Sequence, residues 1–289
     1  MKMNHSDQTI PRRDFIKLTT GSVTAAFVPA TLNSSLISKT KQIPIGVQLY
    51  CVRKELAEDM PGTISALAKI GFEGVEFADY FGRSATELRR MLDDNKLKCC
   101  GTHIHLETLL GDKLSETVEF NQTLGNKYLI VRSLKQERRS TKETFLKTAE
   151  LFNEIAERLK PHGMRVGYHN HDYIFEKFDG EMLWNILANH TRKDVILQLD
   201  TGNASVTGVS IVELLQRHPG RTVSMHVKPY SKAKPNAFLG ADELDWKQIL
   251  RISESSGGIE WYIVEYEREA YPPLEALKAN LAILRKLRK

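Results

Sequence analysis

The sequence predicts an α/β protein built as one (β/α)8 barrel, the TIM barrel class. Eight short apolar segments alternate with eight segments of helical periodicity, which is typical of a parallel sheet with helical crossovers. The 289 residues, 41% hydrophobic and 27% charged, suit a single barrel of this kind. An open doubly wound sheet is the alternative. It is disfavoured because no Gly-x-Gly-x-x-Gly turn follows the first strand.

The individual elements follow from these two periodicities. We predict strands at residues 45–50, 74–78, 98–105, 128–132, 165–170, 195–200, 222–228 and 261–266. We predict helices at residues 61–70, 84–94, 115–124, 141–160, 181–189, 210–217, 245–254 and 272–287. The longest helix is the clearest, since its apolar side chains recur at three- and four-residue steps after a threonine start.

The N-terminal segment is predicted to be an export signal that precedes the fold. Arg12 and Arg13 stand before Phe15 and Lys17, as in a twin-arginine signal, and a weakly apolar stretch then ends at Ala30. A chance basic pair is the alternative. The twin-arginine pathway moves folded proteins, so we expect a periplasmic protein. The parts of the chain are a signal at residues 1–30, a linker at 31–42 and the barrel at 43–289.

Composition restricts the partners of this protein. The net charge of +5 lies partly in the N-terminal segment, and it is too small to predict binding to nucleic acid. No segment approaches the roughly 18 apolar residues of a membrane span, so we expect no stable membrane insertion after export. Cys51, Cys99 and Cys100 have no disulfide or zinc spacing, and we expect buried thiols.

Four predicted strands carry, at or near their carboxyl ends, side chains that can bind a metal: His169, Asp200, His226 and Glu265. They belong to the fifth, sixth, seventh and eighth strands, and the carboxyl ends of barrel strands converge on one face. Imidazole and carboxylate ligands together suit Mn, Fe, Co, Ni or Zn. The sequence therefore predicts one divalent metal ion at the mouth of the barrel.

Further polar side chains share this face, because residues two apart on a strand point the same way. His103 pairs with His105 in this manner and Lys228 follows His226, while Glu76 ends the second strand. We predict that Lys228 holds a substrate oxygen or stabilises an oxyanion, that His103 donates a proton or binds substrate, and that Glu76 acts as a base or accepts from a sugar hydroxyl. The predicted substrate-binding residues are His105, His171, Asn203 and Glu267.

The chain resembles the xylose-isomerase-like barrel superfamily, the sugar phosphate isomerase/epimerase group, over roughly residues 43–287. The stretches that carry this resemblance are GFEGVEF, GTHIH, YHNHD, LDTGN, MHVKPY and IVEYE. It implies metal ligands in the order Glu, Asp, His and Glu from the fifth to eighth strands. Asp200, His226 and Glu265 follow this order, whereas His169 replaces the first Glu. The Tyr-His-x-His version is similar to that of inosose dehydratases.

The resemblance also implies the chemistry. Epimerases of this group use two metal-bound glutamates on opposite faces of a sugar to remove and return a proton beside a carbonyl. Because His169 breaks that pair, β-elimination from a keto-sugar or keto-glycoside is the alternative to isomerisation or epimerisation, with Glu265 expected to be catalytic as well as a ligand. A non-catalytic sugar-binding barrel and a three-zinc phosphodiesterase are further alternatives. The expected partner is a small carbohydrate, with a homo-oligomer left open.

Overall fold

Eight parallel strands form a closed barrel in the computed structural model, which describes residues 42–289. Around the barrel the strands follow the order β1-β8-β7-β6-β5-β4-β3-β2. The predicted (β/α)8 class is therefore confirmed, whereas the predicted signal and nearly all of the predicted linker lie outside the described residues. The strands are β1 Ile45–Gln48, β2 Gly74–Phe77, β3 Lys98–Ile104, β4 Tyr128–Val131, β5 Arg165–His169, β6 Ile196–Asp200, β7 Ser224–Val227 and β8 Trp261–Val264.

Ten α-helices accompany these strands within residues 42–289. They are α1 Arg53–Glu58, α2 Met60–Ile70, α3 Ala85–Asp94, α4 Lys113–Leu124, α5 Lys142–Leu159, α6 Leu183–His190, α7 Thr201–Val206, α8 Ile211–Arg217, α9 Trp246–Ile252 and α10 Pro273–Leu287. A short hairpin pairs Lys177–Phe178 with Glu181–Met182. None of the helices of residues 42–289 has both the length and the apolar character that a membrane span requires.

Several predicted strands extend past the observed ends. The first strand ends at Gln48 rather than at residue 50. The Gln48 side chain accepts a hydrogen bond from the Tyr50 backbone N–H, and a 3-10 turn, Leu49–Val52, begins there. The short helices α1 and α7 were not predicted from periodicity, since six residues make fewer than two turns. These early strand ends move the following side chains into loops at the barrel mouth.

The core fills both the barrel and the layer between strands and helices. All residues of β1, β2, β4, β6 and β7 are buried. On the outside, α5 packs Phe145, Phe152 and Ile155 against the sheet after a capping box begun by Thr141. The three cysteines are buried and unpaired, as predicted. This rigid scaffold holds the polar strand ends.

Candidate active site

A cavity of about 500 Å³ opens at the carboxyl ends of the strands. This is the face where barrel enzymes carry their active sites. Its wall combines polar and charged side chains with Tyr50 and Ala78, so it suits a small polar ligand. The residues that line it are Gln48, Tyr50, Ala78, His103, Arg132, Ser133, His169, His171, Asn203, Lys228, Glu265 and Glu267.

The four predicted metal-binding side chains meet beside this cavity. The potential ligand atoms of Asp200, His226 and Glu265 all lie within 4.8 Å of one another. Asp200 Oδ2 is 3.9 Å from His226 Nδ1 and 3.8 Å from His169 Nε2. His226 Nδ1 also contacts Glu265 Oε2 at hydrogen-bonding distance. The structure thus brings together two imidazoles and two carboxylates from four neighbouring strands.

Asp200 shows that a cation fits these ligands. Its Oδ1 accepts a hydrogen bond from the Asn203 backbone at 2.7 Å, but its buried Oδ2 has no hydrogen-bond partner among the described residues. A buried carboxylate oxygen without a partner is costly, and a metal ion would satisfy it. Burial raises the pKa of Asp200 to about 6, with Lys228 opposing this shift and the Glu265 carboxylate adding to it. The residues present therefore fit a divalent ion.

The backbone of Asp200 is fixed by Asn170, a residue that the sequence analysis did not assign to the site. Asn170 Oδ1 accepts from the Asp200 backbone N–H at 2.7 Å, and Asn170 Nδ2 donates to the Asp200 carbonyl at 3.1 Å. Asn203 Nδ2 in turn donates to the Asn170 carbonyl at 3.0 Å. This two-way bond aligns the end of β6 with the end of β5, so that Asp200 and His169 face each other.

Lys228 lies between carboxylates at the edge of the cavity. Its Nζ donates to Glu265 Oε1 at 2.7 Å and to Glu267 Oε2 at 2.8 Å, and it lies 3.7 Å from Asp200 Oδ2. Burial disfavours the charged amine, but the attraction of these carboxylates outweighs it and raises the pKa of Lys228. A Cβ at Gly202 would lie 2.7 Å from Lys228 Cγ, so glycine is needed there. Lys228 is a fixed cation beside the predicted metal.

Glu76 lies beneath the cavity rather than in its wall. Its carboxylate is fully buried and accepts hydrogen bonds from Gln48 Nε2 at 2.7 Å, Gln198 Nε2 at 2.6 Å and His226 Nε2 at 2.6 Å. Burial opposes ionisation, but His103 and His226 outweigh it and lower the pKa of Glu76. An ionised carboxylate saturated with donors and absent from the wall does not fit the predicted role of a base that reaches the substrate.

His103 is placed in the cavity wall, as expected, but its nitrogens are engaged. His103 Nε2 lies 2.8 Å from Gln198 Oε1, which can only accept, and Nδ1 lies 3.4 Å from Gln48 Nε2. The ring stacks on His226 with centroids 5.3 Å apart. Because the Nε2 proton is held by Gln198, this imidazole presents an acceptor rather than a proton donor.

The predicted substrate-binding residues divide into two groups. His171, Asn203 and Glu267 line the cavity, whereas His105 does not. His105 follows the end of β3 and is exposed, and its Nε2 lies 2.6 Å from Arg132 Nη2. Since a guanidinium only donates, His105 accepts this bond and positions Arg132. The expectation that His103 and His105 share the barrel mouth is wrong for His105, because the strand ends at Ile104.

Several residues of the site were not predicted from the sequence. Gln48, Tyr50, Arg132 and Ser133 line the cavity, and Gln198 connects its ligands from below. The one available signal was a glutamine in the apolar segment VILQLD, two residues before Asp200 and therefore on the same strand face. Arg132 carried no such signal, because a cation at a strand end is ordinary.

Comparison with known proteins identifies the family. Residues 64–287 match the family model described as Xylose isomerase-like TIM barrel, and the chain belongs to this family. An inosose dehydratase from Erwinia tasmaniensis is 25% identical over 259 residues, which cover 75% of this chain and 86% of that protein. The resemblance expected from the sequence is thereby confirmed.

Solved structures share the fold. A sugar phosphate isomerase/epimerase from Parabacteroides distasonis superimposes with a TM-score of 0.73 at 22% identity, covering 84% of this chain and 98% of that one. The probable 3-DHS dehydratase AsbF from Bacillus anthracis gives a TM-score of 0.66 at 15% identity, covering 84% of this chain and 99% of that one. The proteins similar to this chain thus include an isomerase/epimerase and dehydratases.

Proposed function

We propose that this protein is a divalent-metal-dependent lyase that removes water from a keto-sugar or keto-polyol after abstracting a proton beside the carbonyl. The observation that carries this proposal is the one-sided placement of the carboxylates in the cavity wall. Among residues 42–289, the two carboxylates in the cavity wall are Glu265 and Glu267, and both follow β8. An epimerase with paired glutamates needs a second carboxylate at the position that His169 occupies. Similarity to inosose dehydratases supports the same reaction.

The chain's own groups divide the work at this site. His169, Asp200, His226 and Glu265 would hold the metal. A divalent ion bound there would polarise the carbonyl and so acidify the adjacent C–H bond. The divalent ions that suit this site are those of Mn, Fe, Co, Ni and Zn, since each accepts mixed imidazole and carboxylate ligands.

Glu267 is assigned as the base because Glu265 is committed to the metal. The Glu267 carboxylate takes the proton from the carbon beside the carbonyl, and the electron pair of that C–H bond moves toward the carbonyl oxygen. The ammonium of Lys228, 2.8 Å from Glu267 Oε2, lies where it can stabilise the resulting negative charge. This assignment places Lys228 and Glu267 on the same side of the substrate.

Loss of the leaving group completes the reaction. The C–O bond one carbon further breaks as the new C=C bond forms, and the departing hydroxide takes a proton and leaves as water. We assign this proton to the conjugate acid of Glu267, and we place His171 beside the departing oxygen because the buried Nδ1 of His171 has no partner among the described residues. His103, which the sequence suggested as a proton donor, instead donates its N–H to Gln198 Oε1. His171 lies beside His169, with ring centroids 5.2 Å apart, and so borders the metal site.

Isomerisation or epimerisation is the second candidate. One observation favours it: His103 Nδ1, held by a long 3.4 Å contact with Gln48 Nε2, is an acceptor on β3, on the other side of the barrel mouth from the carboxylates that follow β8. Such an acceptor could exchange a proton on the opposite face of the sugar. Two-sided proton transfer would then use an imidazole in place of the second carboxylate.

Product analysis in heavy water separates the candidates. The metal-loaded protein is incubated with inosose, aldoses, keto-sugars and keto-glycosides, and the products are followed by NMR. Loss of water or of an aglycone supports the lyase. Deuterium beside the carbonyl with no group lost supports isomerisation or epimerisation. Bound metal and bound sugar without either change would contradict both and favour a sugar-binding barrel.

A matched pair of variants tests the assigned base. Glu267→Gln should keep the metal but lose turnover by about 10²–10⁴-fold. Glu269→Gln is the control, because Glu269 lies on the same loop with a side chain that is 85% exposed. Equal activity of Glu267→Gln and Glu269→Gln would refute the role of Glu267.

Export remains part of the proposal. The twin-arginine pattern at Arg12 and Arg13 supports periplasmic location, which in turn favours a sugar without phosphate. Changing both residues to lysine should leave the protein in the cytoplasmic fraction of an expressing bacterium, detected by immunoblot of separated fractions. Release into the periplasm by the double variant would reject this signal.

A further inference from the structure

We infer that Glu76 and Gln198 are positioning residues that determine which nitrogen of each histidine faces the metal: Nε2 of His169 and Nδ1 of His226. This inference rests on the proposed metal site. Neither residue lines the cavity, and both are completely buried. Their effect on the site therefore passes through the two histidines.

The orientation of the Gln198 amide follows from its neighbours. Gln198 Nε2 lies 2.6 Å from Glu76 Oε1 and 2.8 Å from Ser224 Oγ. The oxygens of Glu76 act as acceptors for Gln48 and His226, so the amide NH₂ of Gln198 points toward Glu76 Oε1. The opposite end, Oε1, consequently points toward the histidines. The network, rather than chance, decides between the two amide orientations.

This amide oxygen selects the tautomer of His169. His169 Nδ1 lies 2.9 Å from Gln198 Oε1. Because the oxygen only accepts, Nδ1 must carry the proton, which leaves the lone pair of a neutral ring on Nε2. His169 Nε2 is the nitrogen that lies 3.8 Å from Asp200 Oδ2. Gln198 thus directs an acceptor nitrogen at the metal position.

Glu76 makes the opposite choice at His226. Its Oε2 lies 2.6 Å from His226 Nε2, which must therefore carry a proton. The other nitrogen, Nδ1, faces Asp200 and contacts Glu265 Oε2, so a metal bound there would displace the Nδ1 proton while Nε2–H stays on Glu76. A carboxylate that holds the far N–H of a ligand histidine fixes the ring and increases the basicity of the coordinating nitrogen. The two histidines accordingly present different nitrogens to one point.

Glu76 can act in this way because the barrel holds it rigidly. Gln48 Nε2 donates to the same Oε2 at 2.7 Å, and His103 Nε2 lies 3.2 Å from it. The facing position on β3 is Gly101, where a Cβ would stand 2.6 Å from Glu76 Oε1. A larger residue would displace the carboxylate, so the absent side chain makes room for it. Glu76 and Gln198 together link both ligand histidines through a single hydrogen-bonded unit.

Metal titration of matched variants tests this inference. In Glu76→Gln the new amide can turn an N–H toward His226, which would force the ring proton onto Nδ1 and block that ligand. We expect the Kd for Co²⁺ to rise by about 10- to 100-fold in Glu76→Gln and in Gln198→Leu. Gln216→Glu is the control, because Gln216 is an exposed residue of α8. It should bind Co²⁺ like the unaltered protein.

A measurement on the unaltered protein covers the case in which a variant does not fold. Long-range ¹H–¹⁵N correlation spectra of the Zn²⁺-loaded protein identify the coordinating nitrogen of each histidine. We expect Nε2 for His169 and Nδ1 for His226. The same nitrogen on both rings, or Co²⁺ affinity within twofold of the unaltered protein in both variants, would overturn the inference. Failure of the unaltered protein to bind Zn²⁺ or Co²⁺ would instead refute the proposed metal site itself.

Discussion

His226 Nε2 donates a hydrogen bond to Glu76 Oε2 across the barrel interior at 2.6 Å, although the two residues are 150 positions apart in the chain. Glu76 belongs to β2 and His226 to β7, and neither strand pairs with the other. A carboxylate buried beneath the cavity therefore supports a metal-competent imidazole from the opposite wall. The candidate site thus extends one layer deeper than its lining residues.

The first prediction concerns the metal ligands. Asp200→Ala and His226→Ala should each abolish tight metal binding, because each removes one ligand from the cluster formed by Asp200, His226 and Glu265. Far-UV circular dichroism should still show a folded barrel, and elemental analysis after dialysis should show metal loss. Unchanged metal stoichiometry in both variants would reject the ligand assignment.

The second prediction separates Lys228 from the ligands. Lys228→Met should retain metal but lower kcat by about 10²–10³-fold, since it removes the cation beside a developing negative charge. In metal-free protein it should also reduce the free energy of unfolding by about 3 kcal/mol, because Glu265 and Glu267 lose their shared partner. Urea unfolding with and without metal measures this. Unchanged kcat would show that Lys228 serves the fold alone.

The third prediction concerns substrate recognition by Arg132. Its guanidinium lines the cavity, with one bond to His105 and a longer one of 3.4 Å to the Ala78 carbonyl, so further N–H donors remain for substrate oxygens. Arg132→Met should raise KM by about tenfold with a smaller change in kcat. The control is Arg251→Met, because Arg251 is exposed on α9 and is not among the residues that line the cavity. Equal KM values for both variants would contradict this role.

The fourth prediction is a pH dependence of stability away from the site. His218 is 8% exposed and lies 2.9 Å from Asn185 Oδ1. Burial, followed by Arg221, lowers the pKa of His218 from 6.5 to about 4. The unfolded chain therefore binds this proton more readily than the folded one. The contribution of His218 to the free energy of unfolding is complete above pH 6.5 and is lost as the pH falls toward 4.

Urea unfolding at pH 7 and pH 5 checks this sign. His218→Gln should lose about 1 kcal/mol less stability than the unaltered protein on acidification, since the titrating ring is gone. His162→Gln changes an exposed histidine and serves as the control. Identical pH dependence of His218→Gln and the unaltered protein would rule out this contribution.

Prediction from the sequence succeeded for features that recur with a regular pattern along the chain. The eight barrel strands and the eight longer helical segments follow from hydrophobic periodicity, which reports burial on one face of an element. The candidate ligands His169, Asp200, His226 and Glu265 could be grouped because every barrel strand ends at the same face. The short helices α1 and α7 were missed because they are too brief to show a period.

Individual roles at the site were harder to predict, because they depend on contacts between distant strands. Glu76 and His103 were expected to act on substrate, yet Gln48 and Gln198 occupy their polar atoms. Arg132 was overlooked, and His105 was placed in the cavity that Arg132 lines.

The amino-acid sequence by itself determined the barrel, its family resemblance and the convergence of four metal-competent side chains, since periodicity and strand order are properties of the chain. Only the tertiary structure decided which polar atoms remain available. Hydrogen bonds formed across the closed barrel occupy Glu76 and the N–H of His103, but within residues 42–289 they leave Asp200 Oδ2 without a partner. A carboxylate or imidazole becomes a ligand, a support or a proton carrier according to the neighbours that the fold places around it.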